Sequence, residues 1–269
     1  MVLGAPGGVA VAGRAMLGTV PSPRHLERIV WAPRGDIDPD AWPFRIPAVR
    51  QLIAEGGFDV PPGVTVLIGE NGSGKSSLVE AFAAVYPRRG AKTTSELSVL
   101  GPKPSDEDSP LRWHLRAKTH PLAAPGGFFL RAETMHDYLA QIDASQPDGR
   151  AWGDEKMQER SHGESFLAVL RHRFTDRGVY FLDEPESALS FQSSLALLVV
   201  LDALRQEGSQ VILSTHSPLL AALPGATTIE LGEWGMRRTE WAELDLVQSW
   251  RDFLNAPQRW LRHLLDDSR

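Results

Sequence analysis

Apolar runs and helix-like segments alternate along most of this chain. Mostly apolar runs stand at 64–68, 178–182 and 211–215, and each has the length of a buried strand. Segments with a helical pattern follow at 78–85 and 191–206. Strands that alternate with helices are typical of a parallel sheet with right-handed crossovers. The pattern therefore predicts an α/β fold built on a mostly parallel core sheet.

A second pattern, the strict alternation of apolar and basic residues, covers 111–120. It predicts a half-buried strand, and a first strand is predicted at 26–31. We expect an antiparallel sheet in addition to the core sheet. The inner face would carry Leu111, Trp113, Leu115 and Ala117, and the outer face Arg112, His114, Arg116, Lys118 and His120. Two interpretations of that basic face stay open: a solvated surface, or a contact for an anion or a nucleic acid.

Composition narrows the class of protein. The chain has 269 residues, so we expect one large domain at 25–269 after a flexible extension at 1–24. A secretory signal within 2–12 is the alternative for that extension. The formal net charge of −6 argues against DNA wrapping but not against a local basic patch. The absence of cysteine excludes disulfides and thiolate metal sites, and it fits a cytoplasmic protein. No run reaches the roughly 18 apolar residues that a membrane span needs.

The first apolar run leads into a glycine-rich sequence, Gly69-x-x-x-x-Gly74-Lys75-Ser76. A strand, such a turn and a helix form the context of a phosphate-binding loop (P-loop), in which glycines let backbone N–H groups surround a phosphate. Lys75 would reach the β- and γ-phosphates, and the Ser76 hydroxyl would bind Mg²⁺. The predicted nucleotide-binding residues of the loop are Gly69, Asn71, Gly72, Ser73, Gly74, Lys75, Ser76 and Ser77.

Acidic and basic side chains end the next two apolar runs. Asp183 comes directly after one run and could hold Mg²⁺, directly or through water. The adjacent Glu184 would point elsewhere and could polarise an attacking water. His216 follows the last run and could donate a hydrogen bond to the γ-phosphate. The alternative is an acidic surface turn and an ordinary loop histidine.

A further surface for phosphate is predicted before the helical run at 166–170. Ser161 and Gly163 have small side chains and stand at the expected helix N-terminus, which leaves backbone N–H groups accessible. One chain cannot bring this surface and the glycine-rich loop to one phosphate if they lie at opposite ends of the domain. A second protomer would then be needed.

In this order the four motifs resemble those of the ATP-binding cassette ATPases, over about residues 58–232. The resemblance implies a P-loop fold in which a small helical region around 134–174 carries the signature sequence, with C-terminal helices at 245–266. It also implies a head-to-tail homodimer with two ATP molecules between the protomers. Ser161 and Gly163 of one protomer would share each γ-phosphate with the P-loop of the other.

The resemblance also implies the roles of three side chains. Asp183 matches the Mg²⁺ carboxylate, Glu184 the general base and His216 the switch histidine. We therefore expect a Mg²⁺-dependent ATP hydrolase in which Lys75, Glu184 and His216 act on the γ-phosphate and the attacking water.

Two departures from the transporter pattern bear on the partner. The signature reads Ser-His-Gly-Glu-Ser from Ser161, and the loop at 129–134 has no lid glutamine, with Glu133 as the nearest polar residue. These departures favour a soluble, stand-alone AAA-family branch similar to the ATPases of the SMC and RecF groups, acting on a nucleic acid or a protein. The alternatives are the ATP-binding subunit of a transporter and an ATP-sensing module with little turnover.

Overall fold

The computed structural model describes residues 24–87, 110–124, 126–134, 162–174 and 177–266. The strands in these ranges are β1 (Leu26–Trp31), β2 (Gly57–Asp59), β3 (Val64–Gly69), β4 (Leu115–Thr119), β5 (Gly126–Arg131), β6 (Gly178–Asp183), β7 (Gln210–Thr215), β8 (Thr227–Gly232) and β9 (Gly235–Arg238). The α-helices are α1 (Pro47–Ala54), α2 (Lys75–Val85), α3 (His162–Arg173), α4 (Phe191–Gln206), α5 (Pro218–Ala221), α6 (Asp245–Asn255) and α7 (Pro257–Asp266).

The central sheet has the strand order β5-β6-β7-β3-β8-β9. Neighbouring strands from β5 to β8 are parallel, and β9 at the edge is antiparallel to β8. The predicted α/β fold with a mostly parallel core sheet is therefore confirmed. Because the strands are parallel, the carboxyl ends of β5, β6, β7 and β3 meet at one edge of the sheet, where the predicted motifs lie.

Helices cover both faces of this sheet. Val66 of β3 and Tyr180 of β6 face a core layer shared with α3 and α4. Leu67 and Phe181, the next residue in each strand, face a second layer shared with α1 and α2. Side chains that alternate between two apolar layers explain why these strands appear in the sequence as mostly apolar runs.

The smaller sheet is antiparallel, as predicted, with the order β2-β1-β4. Its strand β4 is shorter than the predicted strand at 111–120, because Pro110–His114 forms a 3₁₀ turn. In this turn Leu111 is buried against α2, whereas Trp113 is 45% exposed. The His114 ring turns inward between Trp31 and Phe44, with ring centroids 5.6 and 5.5 Å away. Packing of these rings outweighs the alternation that predicted a strand here.

The predicted basic outer face is reduced in the same way. Arg116 and Lys118 are exposed on β4, and the Lys118 ammonium lies 3.2 Å from the carboxylate of Glu27. Arg112 lies in the 3₁₀ turn, where its guanidinium stacks over the Trp113 ring. The prediction of one wholly basic face is therefore wrong.

None of the helices within the described ranges is long and apolar enough to cross a membrane. Helices α6 and α7 occupy the predicted C-terminal region and are separated at Pro257. The predicted extension at 1–24 lies outside the described residues except for Arg24, and so does most of the predicted helical region around 134–174. The division of the chain into an extension and one domain stays a prediction.

Candidate functional site

The glycine-rich loop joins the end of β3 to the start of α2. Gly74 adopts a φ of +98°, a left-handed conformation that favours glycine, and an added Cβ would lie 2.8 Å from Cγ2 of Ile46. A Cβ on Gly69 would lie 2.3 Å from the carbonyl oxygen of Leu231. Both glycines are therefore required by space, which keeps the loop backbone close to the ends of β3 and β8. Asn71 and Gly72 form the exposed tip of the loop, and Ser76 and Ser77 are half-buried in the first turn of α2.

Lys75 begins α2 and its side chain is buried under the loop. Its ammonium group donates a hydrogen bond to the carbonyl oxygen of Glu70 at 2.9 Å. Burial lowers the pKa of Lys75, and the nearby carboxylates Glu184 and Asp183 oppose that effect. A buried cation held by one carbonyl group of the loop is well placed to exchange that partner for a phosphate oxygen.

Asp183 is the last residue of β6 and is buried. Its Oδ1 accepts a hydrogen bond from the Ser214 hydroxyl at 2.5 Å, and its Oδ2 accepts one from Nε of Arg131 at 3.2 Å. Ser214 lies opposite Asp183 on β7 and Arg131 lies opposite it on β5. The parallel register of three strands therefore fixes this carboxylate at the same sheet edge as the loop.

Glu184 and His216 come together although 32 residues separate them in sequence. Nε2 of His216 lies 3.1 Å from Oε1 of Glu184. Glu184 has a φ of +46°, and within the described ranges it is the one non-glycine residue with a positive φ. Such backbone conformations cost about 1–3 kcal/mol and are common where a side chain must be aimed at a reaction. The turn directs the Glu184 side chain back across the end of β7 toward the histidine.

Glu186 is a site residue that the sequence analysis did not single out. It lies in the 3₁₀ turn Pro185–Ala188, and its Oε1 accepts a hydrogen bond from the backbone N–H of His216 at 2.5 Å. Burial raises the pKa of Glu186, against hydrogen bonds from the Thr215 hydroxyl and the His216 backbone that favour its charged form. This carboxyl group therefore holds the backbone of His216, the predicted switch histidine.

Arg131 is a second residue that the sequence analysis missed. It ends β5 and forms ion pairs with Asp183 and with Glu80, a buried carboxylate on α2. Glu133, the predicted stand-in for the lid glutamine, is exposed in the following turn. A weak signal was available: Arg131 directly follows an apolar strand, the position at which Asp183 and His216 were recognised.

The predicted signature surface is only partly described. Gly163 lies in the first turn of α3, and an added Cβ would lie 2.7 Å from the Ser193 hydroxyl of α4. Gly163 therefore permits the start of α3 to approach the start of α4, just beyond the turn that carries Glu186. Ser161 lies outside the described residues. The structure contains one copy of the chain, so the sharing of a phosphate between two copies stays a prediction.

The residues present fit the ATP and Mg²⁺ that the resemblance implies. The Ser73 hydroxyl is buried inside the loop and has no hydrogen-bond partner within the described part of the chain. It faces Gly69, so the loop encloses a polar group that a phosphate oxygen could satisfy. The Ser76 hydroxyl and the Asp183 carboxylate are oxygen donors of the kind that Mg²⁺ prefers, with phosphate oxygens as further ligands.

Comparison with known proteins places the same segments in ATP-binding proteins. Residues 164–222, which contain Asp183, Glu184 and His216, match the family model described as "AAA domain, putative AbiEii toxin, Type IV TA system". The cytochrome c biogenesis ATP-binding export protein CcmA of Maricaulis maris is 30% identical over 190 residues, which cover 67% of this chain and 85% of that protein.

Two further comparisons give more distant similarity. The ribose import ATP-binding protein RbsA of Bacillus cereus is 25% identical over 194 residues, and the chain spans 39% of the length of that relative. Among solved structures, the ATP-binding subunit of an ABC transporter is 19% identical, with a TM-score of 0.40. That alignment covers 69% of this chain and 82% of the subunit.

Proposed function

The chain belongs to the ATP-binding cassette family of ATPases, and we propose that it hydrolyses ATP at a composite site formed by two copies of the chain. Family membership confirms the predicted ATP-binding and ATPase class. The observation that carries the proposed hydrolysis is the 3.1 Å contact between Glu184 and His216, and the two-copy site is the arrangement that the resemblance implies. It lies at the ends of β6 and β7, beside the strand that leads into the P-loop.

In the proposed reaction a water molecule attacks the γ-phosphate in line with the leaving oxygen. Glu184 accepts a proton from that water, and the imidazole of His216, whose Nε2 lies beside the Glu184 carboxylate, turns its N–H to the γ-phosphate once ATP is bound. Lys75 and the backbone N–H groups of the loop neutralise and orient the phosphates. Mg²⁺, held by Ser76 and Asp183, would supply further positive charge at the β- and γ-phosphates.

The first test replaces the proposed base. Glu184→Gln should keep ATP binding, lower the hydrolysis rate by about 10²- to 10⁴-fold, and accumulate a dimer in ATP and Mg²⁺. Hydrolysis is measured by phosphate release, and the dimer by size-exclusion chromatography. Glu207→Gln, an exposed site at the far end of α4, is the matched control and should behave like the unaltered protein.

Normal turnover in Glu184→Gln would refute the assignment of the base. If the unaltered protein binds ATP but turns it over no faster than Glu184→Gln, the chain is an ATP-sensing module.

The composite site has a separate test, which uses the role that the resemblance gives to Ser161. Lys75→Ala and Ser161→Arg proteins should each be inactive alone, because each lacks one half of every site. Mixed heterodimers keep one intact site, so mixing should restore part of the activity. If heterodimers form and no activity returns, the two halves of the site do not act across protomers.

For the partner of this ATPase, the comparisons favour the transporter alternative over the stand-alone reading. CcmA and RbsA are named as export and import ATP-binding proteins, and no comparison reported above is with an SMC or RecF protein. The reduced basic face of the smaller sheet removes support from a nucleic-acid partner. We propose that the chain is an ATP-binding subunit that acts with a separate membrane protein.

The choice of partner is tested with the Glu184→Gln protein held in its ATP-bound state. Purification of that protein from detergent-solubilised cells should recover an integral membrane protein in an ATP-dependent way. The opposite outcome is hydrolysis that DNA stimulates and that Arg116→Glu with Lys118→Glu abolishes. That outcome would restore the stand-alone reading, which is favoured by the absence of a lid glutamine from residues 129–134.

A further inference from the structure

Two buried carboxylates share one arginine at the edge of the sheet. The Arg131 guanidinium is ion-paired with Glu80, on the second turn of α2, and with Asp183 at the end of β6. The side chains of Glu80 and Asp183 are 8% and 5% exposed, whereas that of Arg131 is 28% exposed. Buried carboxylates need a compensating charge, and Arg131 supplies it to both.

Arg131 is bound to Asp183, the carboxylate that Mg²⁺ would use. Both oxygens of Asp183 are engaged, one by the Ser214 hydroxyl and the other by Nε of Arg131. A Mg²⁺ ion that binds the Asp183 carboxylate would share it with the Arg131 guanidinium. Two positive charges on one carboxylate repel each other, and in a partly buried site this repulsion is weakly screened. The metal and the ion pair therefore compete for one carboxylate.

We propose that Arg131 is a resident cation that holds Asp183 until Mg²⁺ arrives with ATP, and that metal binding displaces the guanidinium toward Glu80. This inference rests on the proposed function, since it presumes that Asp183 serves the nucleotide site. Arg131 is then a positioning residue: it acts through Asp183 and sets the Mg²⁺ concentration at which the site fills.

Two turns that pack against each other connect Arg131 to Glu186 and His216. Arg131 is followed at once by the turn Ala132–Thr134, which packs against the turn Pro185–Ala188. That second turn carries Glu186, which holds the backbone of His216. A shift of Arg131 on metal binding is thus passed to the residues that surround the attacking water.

The test measures the Mg²⁺ concentration that gives half-maximal ATP binding, by isothermal titration calorimetry. Arg131→Gln removes the competing cation, so this concentration should fall about tenfold. ATP binding without Mg²⁺ should weaken in the same protein, because a positive charge near the phosphates is lost. Arg131→Lys keeps the charge and should stay close to the unaltered protein. Arg205→Gln breaks a surface ion pair with Asp202 at the far end of the sheet and serves as the matched control.

A lower Mg²⁺ midpoint together with weaker Mg²⁺-free ATP binding separates competition with the metal from a merely structural role of Arg131. A variant that is merely loosened would bind ATP less well both with and without Mg²⁺, and that result would overturn the proposal. Equal Mg²⁺ midpoints in Arg131→Gln and the unaltered protein would overturn it too, while leaving the proposed ATPase intact. If the unaltered protein binds no ATP under either condition, the proposed function itself fails.

A second pair of variants covers the case in which Arg131→Gln does not fold, since it leaves two buried carboxylates without their cation. Glu80→Gln removes one of those carboxylates and leaves Arg131 to Asp183 alone, so the Mg²⁺ midpoint should rise. Adding Arg131→Gln to Glu80→Gln should then lower the midpoint by about the same tenfold factor. If the double variant and Glu80→Gln share one midpoint, Arg131 does not compete with the metal.

Discussion

Glu186 offers the sharpest test of how the switch histidine is held. Its Oε1 accepts a hydrogen bond from the backbone N–H of His216 at 2.5 Å. Its Oε2 is buried with no hydrogen-bond partner in the described ranges. Glu186→Ala removes the acceptor of the His216 N–H, whereas Glu186→Gln keeps an oxygen that can accept this hydrogen bond. The pair of variants separates loss of the acceptor from loss of the charge.

The magnitude follows from the groups that each variant leaves unpaired. A buried donor without a partner costs about 1–3 kcal/mol, so the His216 N–H that Glu186→Ala leaves unpaired predicts a loss of about 1–3 kcal/mol in the free energy of unfolding. Glu186→Gln retains the acceptor and removes a charge that burial disfavours. We therefore expect its free energy of unfolding to change by less than about 1 kcal/mol.

Activity should follow the same order. Without Glu186 the backbone of His216 is free to move, and the 3.1 Å contact of its ring with Glu184 is no longer fixed. A misplacement of about 1 Å at a reacting centre costs about 10²-fold in rate. We therefore expect kcat of Glu186→Ala to fall far more than its ATP affinity. Urea unfolding and steady-state phosphate release measure the two effects, with Glu207→Ala as an exposed control. A Glu186→Ala protein with normal kcat would refute the role given to this carboxyl group.

The raised pKa of Glu186 adds a prediction on pH. Burial raises the pKa in the folded protein above the unfolded value of about 4.3. The contribution of Glu186 to the free energy of unfolding is therefore fully present below that value and is lost as the pH rises through the folded-state pKa. The difference in free energy of unfolding between Glu186→Gln and the unaltered protein should therefore favour Glu186→Gln more strongly above the folded-state pKa of Glu186 than below about pH 4.3. The reverse trend would contradict the burial argument.

Two other features give shorter predictions. Burial lowers the pKa of His25, whose Nε2 lies 2.9 Å from the Gly208 carbonyl oxygen and whose Nδ1 accepts a hydrogen bond from the Ala124 N–H. The contribution of His25 to the free energy of unfolding is therefore present above about pH 6.5 and is lost as the pH falls through its folded-state pKa. Urea unfolding between pH 7 and pH 5 should show a smaller acid loss in His25→Gln, and an unchanged loss would argue against a neutral His25. Gly74→Ala should abolish ATP binding in calorimetry, because its Cβ would strain the loop and contact Ile46. Gly56→Ala, at another positive φ with open space around it, is the control and should bind ATP normally.

The sequence was sufficient for the parts of the site that are continuous in the chain. The P-loop, Asp183 with Glu184, and His216 each follow an apolar run, and the structure has a strand at each of those runs. Parallel strands then bring the three motifs to one edge, which is why order along the chain predicted proximity in space. The contact of Glu184 with His216 joins the residues that directly follow the adjacent strands β6 and β7.

Arg131 could not be assigned in the same way. Its importance depends on β5 lying next to β6 in a register that pairs Arg131 with Asp183. The sequence of β5 indicates neither which strand lies beside it nor the register of their pairing, because different strands of a parallel sheet share the same apolar pattern. Glu186 was missed for a related reason: an acidic residue after a proline in a turn is ordinarily exposed, and only its contact with the end of β7 buries it.

The 3₁₀ turn at Pro110–His114 shows where periodicity fails. Leu111 and Leu115 are both buried, a spacing that fits a strand and a helical turn alike. The choice between them is made by the pocket for the His114 ring beside Trp31 and Phe44, which lie about 70–80 residues earlier in the chain. A long-range contact of this kind changes the direction of alternate side chains, and with them the charge of the exposed face.

The charges around the P-loop explain why such contacts matter. Four carboxyl groups, Glu80, Asp183, Glu184 and Glu186, lie near two cations, Lys75 and Arg131. A polyphosphate cannot enter such a site unless some negative charge is neutralised or a metal ion comes with it. Arg131 neutralises part of the charge of Glu80 and Asp183, and Lys75 lies near Asp183, Glu184 and Glu186. The carboxyl groups still outnumber the cations, so the Mg²⁺ that would come with ATP supplies the missing positive charge, and in our proposal it does so at Asp183, in place of Arg131.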